Sequence, residues 1–366
     1  MSTKIEWCDE TWTIARGCSM VSRGCQNCYA QRMAHRFSGT GKAYEGLTEI
    51  GPNGPRWNGT VRLVPESLGQ PLRWKKPRRV FVGSMTDLFH EDVPNEYIAA
   101  VFGVMAACPQ HVFQVLTKRA ERLAEWFDWY DREAAAVWYK AGFAQWCAED
   151  VMHKHEGALG GSDAGAAWPL PNVWLGVSVE DQATADERIP HLLDAPAAVR
   201  FISAEPLLGP IDLAAYGFDC PACANKNDVD APCPYGRPDW IIAGGESGPG
   251  ARPMHPDWAR SIRDQCSAAG VAFFFKQNGA WGPGAVNVAS GTPAYRQFNT
   301  KQQWINKADT WVNGGTCVDS DGRVLRRGED FDAARYPVTV VHRVGKNAEG
   351  RLLDGRTWDE MPEVSP

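Results

Sequence analysis

No stretch of this chain approaches the ~20 apolar residues that a membrane-spanning helix needs, so no bilayer-crossing segment is expected. The first residues, Met1 to Trp7, carry no apolar core of a secretory leader. These two absences predict a soluble, cytoplasmic protein with no membrane partner. Positive charge is not in excess: 38 Lys and Arg stand against 44 Asp and Glu, for a net charge of −6. The chain as a whole therefore lacks the basic signature of a nucleic-acid binder. Histidine is sparse, with eight residues, and no Ser-His-Asp set or histidine-rich hydrolase motif stands out. Internal repeats are absent. Cysteine is not scarce, but the 11 residues are odd in number and unevenly spaced, which argues against a secreted disulfide framework.

What is present suits a large α/β core. The 366 residues are 44% hydrophobic, enough for one big domain with insertions or for two domains. Six short apolar runs read as buried strands, each ending in polar residues or glycine. They start at Arg79, His111, Asn172, Val199, Asp239 and Val271. Continuous apolar runs are what parallel strands covered on both faces require. Segments with helical spacing lie between them, at 94–107, 181–193 and 256–269. The expected fold is α/β, a full or partial (β/α) TIM-like barrel with parallel strands and two insertions. Its expected extent is 1–281, with a helical, lid-like insertion at 124–168 and a cysteine-rich one at 217–238. Residues 282–366 form a C-terminal extension. Chemistry on such a fold sits at the carboxyl ends of the strands, where every polar tail falls. A basic run, Arg73, Lys75, Lys76, Arg78 and Arg79, precedes the first strand and reads as a solvated face or a phosphate contact.

Cys18, Cys25 and Cys28 are the sharpest chemical signal. Three thiolates on one loop can hold three irons of a 4Fe–4S cluster and leave the fourth iron open. Sulfur ligation also suits zinc, so spacing alone does not name the metal; a structural zinc loop, or thiols that are merely close, are the plain alternatives. Cys220, Cys223 and Cys233 suit a small structural zinc, with an auxiliary cluster or unmetallated thiols as alternatives. Cys8, Cys108, Cys147, Cys266 and Cys317 read as ordinary buried thiols.

Several strand tails offer polar groups. Ser84, Thr86 and Asp87 follow the first run, and Asp87 suits either a ligand contact or a helix cap. Lys118 and Arg119 are cations able to meet a carboxylate or phosphate, or a solvated pair. Ser178 and Glu180 can hold ribose hydroxyls. Glu205 is a carboxylate at the end of an apolar strand, costly there unless paired or solvated. Gly244, Gly245 and Glu246 form a glycine-rich tip, with Arg252 behind it as an anion candidate. Lys276 reads as a general base or as the salt-bridge partner of Glu205 or Glu246.

A three-cysteine loop ahead of a parallel α/β fold resembles the radical S-adenosylmethionine superfamily. The first cysteine spacing is longer than that superfamily's usual one, with six residues between Cys18 and Cys25. At a finer level the chain resembles a phage and bacterial family of three-cysteine proteins similar to that superfamily. The matching stretches are Ile5-Glu-Trp7, Gly17-Cys18, Ser22-Arg-Gly-Cys-Gln-Asn-Cys-Tyr-Ala30 and Val82-Gly-Ser-Met-Thr-Asp-Leu-Phe89. They continue through Gln114-Val-Leu-Thr-Lys-Arg119, Gly176-Val-Ser-Val-Glu-Asp-Gln182, Ser203-Ala-Glu-Pro-Leu-Leu-Gly209, Gly244-Gly-Glu-Ser-Gly-Pro-Gly-Ala-Arg-Pro253, Phe275-Lys-Gln277 and Gly350-Arg-Leu-Leu-Asp-Gly-Arg-Thr-Trp358.

The resemblance implies a 4Fe–4S cluster on Cys18, Cys25 and Cys28, with S-adenosylmethionine chelated by the open iron. Its reductive cleavage yields a 5′-deoxyadenosyl radical that takes a hydrogen from the substrate. Ser84, Thr86, Asp87, Ser178, Glu180, Gly244, Gly245 and Glu246 are then the expected cofactor contacts, and Glu205, Lys276 and Lys118 the expected catalytic groups. A nucleotide or nucleic-acid base is the expected substrate, with an electron donor as partner. The competing expectations are a non-catalytic zinc protein that binds another protein, and a metal-independent barrel hydrolase or nuclease using Asp87, Glu205 and Lys276.

Overall fold

A computed structural model describes residue 3 and residues 5–135, 140–154, 167–219, 236–289, 291, 293–325, 332–345 and 351–363. The second cysteine group, Cys220, Cys223 and Cys233, lies outside the described residues. The fold is mixed α/β. Its main strands are β1 (Glu10–Trp12), β2 (Arg79–Val82), β3 (Val112–Thr117), β4 (Val173–Val179), β5 (Val199–Ala204), β6 (Trp240–Gly244) and β7 (Ala272–Gln277). They make one seven-stranded sheet in chain order. The pairs β1–β2, β2–β3, β3–β4 and β6–β7 are parallel, with registers such as Thr11↔Phe81, Phe81↔Gln114, Val115↔Leu175 and Ile242↔Phe274. All residues of β4 and of β6 are buried, as strands covered on both faces should be. The helices are α1 (Tyr29–Arg36), α2 (Asn95–Ala106), α3 (Ala120–Ala134), α4 (Lys140–His153), α5 (Gln182–Asp194), α6 (Pro256–Ala269) and α7 (Lys301–Trp311).

Two compact units share the chain. The first comprises Met1–Ser178 and Glu187–Phe201, the second Val179–Asp186 and Ile202–Pro366. In the first unit α2 is buried along its length from Tyr97 to Ala106, because α4 covers it. The described part of the 124–168 insertion is thus packed against the core. Trp126 stacks on Phe102 and Tyr130 with ring centroids 4.7 and 5.0 Å apart, and Tyr130 stacks on Trp168 at 4.8 Å. The helices meet at Gly103, where a Cβ would fall within the van der Waals sphere of the Ala144 carbonyl oxygen. Replacing Gly103 by alanine gains up to ~1 kcal/mol of helix propensity but overpacks a backbone contact, at about 1–3 kcal/mol or more. A net loss of stability in urea denaturation is expected; an unchanged or higher midpoint would show that the two helices can separate at no cost.

In the second unit the C-terminal extension builds a sheet of its own. β8 (Arg296–Phe298) and β9 (Thr316–Val318) both pair antiparallel with β10 (Val338–Arg343). Phe298, Trp304, Cys317, Leu325, Val338 and Val340 form the core of this layer. The chain then returns alongside β7: Phe275 N donates to Trp358 O (2.9 Å) and Glu360 N to Phe273 O (3.2 Å). This return covers what would be an open sheet edge. Cys8, Cys108, Cys147, Cys266 and Cys317 are all buried, and burial pushes the Cys108, Cys147 and Cys317 thiols up to about 12. Among the described residues, no helix is long and apolar enough to cross a membrane.

Candidate functional site

The three-cysteine loop is held by backbone geometry before any side chain contributes. Gly17 sits at φ +99°, and a Cβ there would collide with the Thr60 carbonyl oxygen, so only glycine fits. Cys25 N donates to Ser22 O (3.0 Å) and Cys28 N to Cys25 O (3.3 Å). Cys28 caps α1. Gln31, buried on that helix, reaches back to donate to Gln26 O (3.1 Å) and Cys25 O (3.4 Å). Ala30 and Ala34 pack inward with Leu47 and Trp57, and Cys18 and Cys28 lie against the same cluster.

Arg119, two residues past the end of β3, ties this loop to the carboxyl ends of the strands. Its Nη1 donates to Asp87 Oδ2 (3.0 Å) and lies 3.8 Å from Cys18 Sγ. Nη2 donates to Ser19 Oγ (2.7 Å) and O (3.4 Å), and Nε to Glu91 Oε2 (3.1 Å). The Arg119 and Asp87 side chains are 8% and 9% exposed. Neighbouring carboxylates raise the Arg119 pKa against the effect of burial. Asp87, beyond the end of β2, is engaged on both oxygens. Oδ1 accepts from Phe89 N (3.0 Å) and Thr117 Oγ1 (2.7 Å), and Oδ2 also accepts from Lys118 N (3.1 Å). Both expected uses of Asp87 thus meet a third one: it clamps the β3 tip. His90 is buried; its Nδ1 accepts from Asp92 N (3.2 Å), which leaves the proton on Nε2 to be donated to Ser19 Oγ (2.9 Å). Burial lowers the His90 pKa and favours this neutral form.

The other sequence-predicted groups of the first unit gather at the same strand ends. Lys118 Nζ donates to the buried Ser178 Oγ (2.8 Å), and Lys118 is close enough to Cys28 to favour its thiolate electrostatically. Tyr29 OH donates to Ser84 O (3.1 Å). Thr86 Oγ1 is buried with no hydrogen-bond partner, an unmet demand that a bound group can satisfy.

Burial pushes the Cys18 thiol up to about 12, with Asp87 adding to the effect and Arg119 opposing it. Burial likewise raises Cys28. Metal binding replaces a thiol proton, and Arg119, Lys118 and the start of α1 supply positive potential for the resulting thiolates. Among the described residues, no three His, Cys, Asp or Glu side chains converge to hold one metal ion. A cluster asks for a different arrangement: one thiolate per iron, spread around a polyatomic core. The donors and local charge suit such a group: three thiols on one loop, with Arg119 and Lys118 beside Cys18 and Cys28.

The second unit has its own polar set. Glu205 Oε2 accepts from Lys276 Nζ (2.7 Å), each side chain 16% exposed, and Gln277 Nε2 donates to Glu205 Oε1 (3.4 Å). Lys276 is therefore a salt-bridge partner of Glu205. Glu246 accepts from Arg252 Nη2 (2.6 Å), Nε (3.0 Å) and N (2.7 Å), so Arg252 is committed to a carboxylate. Gly244 O accepts from Leu207 N and Gly245 N donates to Gln277 O, both 2.9 Å. Glu180 is buried, and its carbonyl accepts from Leu208 N (2.7 Å). In the basic run, Arg78 pairs with Glu10 (2.7 Å) and Arg79 with Asp9 (3.1 Å), while Arg73, Lys75 and Lys76 are exposed.

Sequence reasoning missed Ser19, His90 and Glu91, which carry no signal beyond lying beside motif residues, and gave no role to Thr117, which lies within the matching stretch Gln114–Arg119. The family model described as "Protein of unknown function (DUF5131)" matches residues 2–362, so the chain belongs to that family. No curated protein and no solved structure matches the chain.

Proposed function

We propose that this DUF5131 protein is an iron–sulfur enzyme of the radical S-adenosylmethionine type, built on a partial (β/α) barrel and acting on a nucleotide or nucleic-acid base. The observation that carries the reading is the Arg119 clamp, which joins Cys18 and Ser19 to Asp87 and Glu91. A three-thiol loop is thereby fixed at the carboxyl ends of parallel strands, where α/β folds do their chemistry.

Cys18, Cys25 and Cys28 would hold three irons of a 4Fe–4S cluster. When bound, the cluster supplies an electron to S-adenosylmethionine on its open iron, so an electron donor is a required partner. Arg119 orients the loop and offsets the charge of the Cys18 thiolate. Lys118, steadied by Ser178, presents a cation to a ligand carboxylate or phosphate. Thr86 offers its unmet hydroxyl, and Ser84 belongs to the same strand end. In the second unit the Glu205–Lys276 pair can hold or move a proton, and Glu180, Gly244, Gly245 and Glu246 are that unit's other polar groups. Such a cluster suits a reducing compartment such as the cytoplasm.

Anaerobic reconstitution followed by metal and sulfide analysis tests the assignment. About four irons and four sulfides per chain are expected, falling to background in Cys25→Ala. Zinc without sulfide in every preparation would contradict the reading.

A further inference from the structure

The outer face of α1 has no part in the core, and its chemistry is distinctive. Ala30, Gln31 and Ala34 face inward. Tyr29, Arg32, Met33 and Arg36 share the opposite face, since positions three and four apart lie side by side, and Phe37 follows at the helix end. Tyr29, Met33 and Phe37 are 50%, 41% and 49% exposed. Met20 and Val21, on the loop between Cys18 and Cys25, are exposed as well. Exposed apolar side chains gathered on one helix face mark a candidate interaction site. The Tyr29 ring is also anchored, because its hydroxyl is tied to Ser84 O. It therefore presents a fixed aromatic surface directly after Cys28.

Charge indicates what that partner is. Residues 13–63, which carry the loop, α1 and the strands beneath it, contain seven Lys and Arg against Glu45 and Glu49, in a chain of net charge −6. Among the described residues, neither Arg32 nor Arg36 takes part in an ion pair. Cations interleaved with displayed aromatic rings match a strand of phosphates bearing unpaired bases. A duplex hides its base faces, and an acidic protein would use the cations but not the rings.

We infer that the outer face of α1, with the loop between Cys18 and Cys25, binds single-stranded nucleic acid. The inference deepens the function proposed above by naming the substrate class of the same site. Tyr29 and Phe37 stack bases, and Arg32 and Arg36 hold phosphates, which leads the strand past Cys28.

Fluorescence anisotropy with labelled dT20 and U20 tests this on the full chain, against a duplex of the same length. Both single strands, or one of them, should bind more tightly than the duplex, with affinity falling as salt rises. Preference for one of the two distinguishes DNA from RNA. Arg32→Glu with Arg36→Glu should weaken binding about tenfold or more and flatten the salt dependence. Tyr29→Leu should weaken it about fivefold or more by removing a stacking surface. Thermal melts confirm that each variant is folded, and the salt titration of the unaltered chain needs no variant at all. No binding up to about 0.1 mM protein, the weak end of non-specific affinity, would overturn the inference. So would variant affinities equal to the parent's, full displacement by polyglutamate, or self-association of the chain through this face. Binding without cluster assembly leaves this inference standing and removes the iron–sulfur reading; cluster assembly without binding does the reverse.

Discussion

Replacing Arg119 by alanine is expected to lower stability by about 3–5 kcal/mol, the usual cost of stripping one partner from a buried ion pair. Asp87 would keep Thr117, Phe89 N and Lys118 N as donors but lose its charge partner in a nearly closed site. Ser19 and Glu91 would lose their link to the β3 tip at the same time. Arg119→Lys should recover only part of the loss, because a point charge cannot reach four groups the way a planar fork does. Urea denaturation reads the stability, and iron content after reconstitution reads the loop. A loss below about 1 kcal/mol, typical of an exposed pair, would mean that Arg119 does not hold the cysteine loop in place.

Lys276→Met should give the second largest loss, about 2–4 kcal/mol, a little below the fully buried case because part of each side chain meets solvent. Glu205 would keep the Gln277 amide at 3.4 Å but lose its cation, and would remain a charge in an apolar strand end. Adding Glu205→Gln to Lys276→Met should return most of that stability, since the uncompensated charge is what costs. The coupling between the two changes, measured as a double-mutant cycle, should be at least about 1 kcal/mol. Additive losses would mean that the two groups act separately, and the pair would drop out of the proposed proton-handling role.

The strands that are legible in the sequence are those with continuous apolar runs. The runs from Arg79 and Val199 start where β2 and β5 start, and the other four start one residue ahead of their strands. β1 is only three residues long, too short for periodicity to register, yet it pairs with β2 and carries the chain into the cysteine loop. The C-terminal extension has short strands and glycine-rich turns, so its antiparallel sheet and its return beside β7 were not visible. At the site, residue types were legible and partners were not. Asp87, Lys118 and Ser178 stand out as polar groups at strand ends, and Cys18 as a thiol of the three-cysteine loop. That Arg119 joins Ser19, a hundred positions away, to Glu91 depends on chain crossing that no local pattern encodes. Asp87 illustrates the limit: its position at a strand tip was readable, but the saturation of both its oxygens by protein donors was not.

The most direct test of the central claim is electron paramagnetic resonance of the anaerobically reconstituted, reduced protein with and without S-adenosylmethionine. The account predicts a 4Fe–4S signal whose shape changes when S-adenosylmethionine is added and which is absent in Cys25→Ala. A cluster signal indifferent to S-adenosylmethionine, or no cluster under any reducing condition, would contradict it.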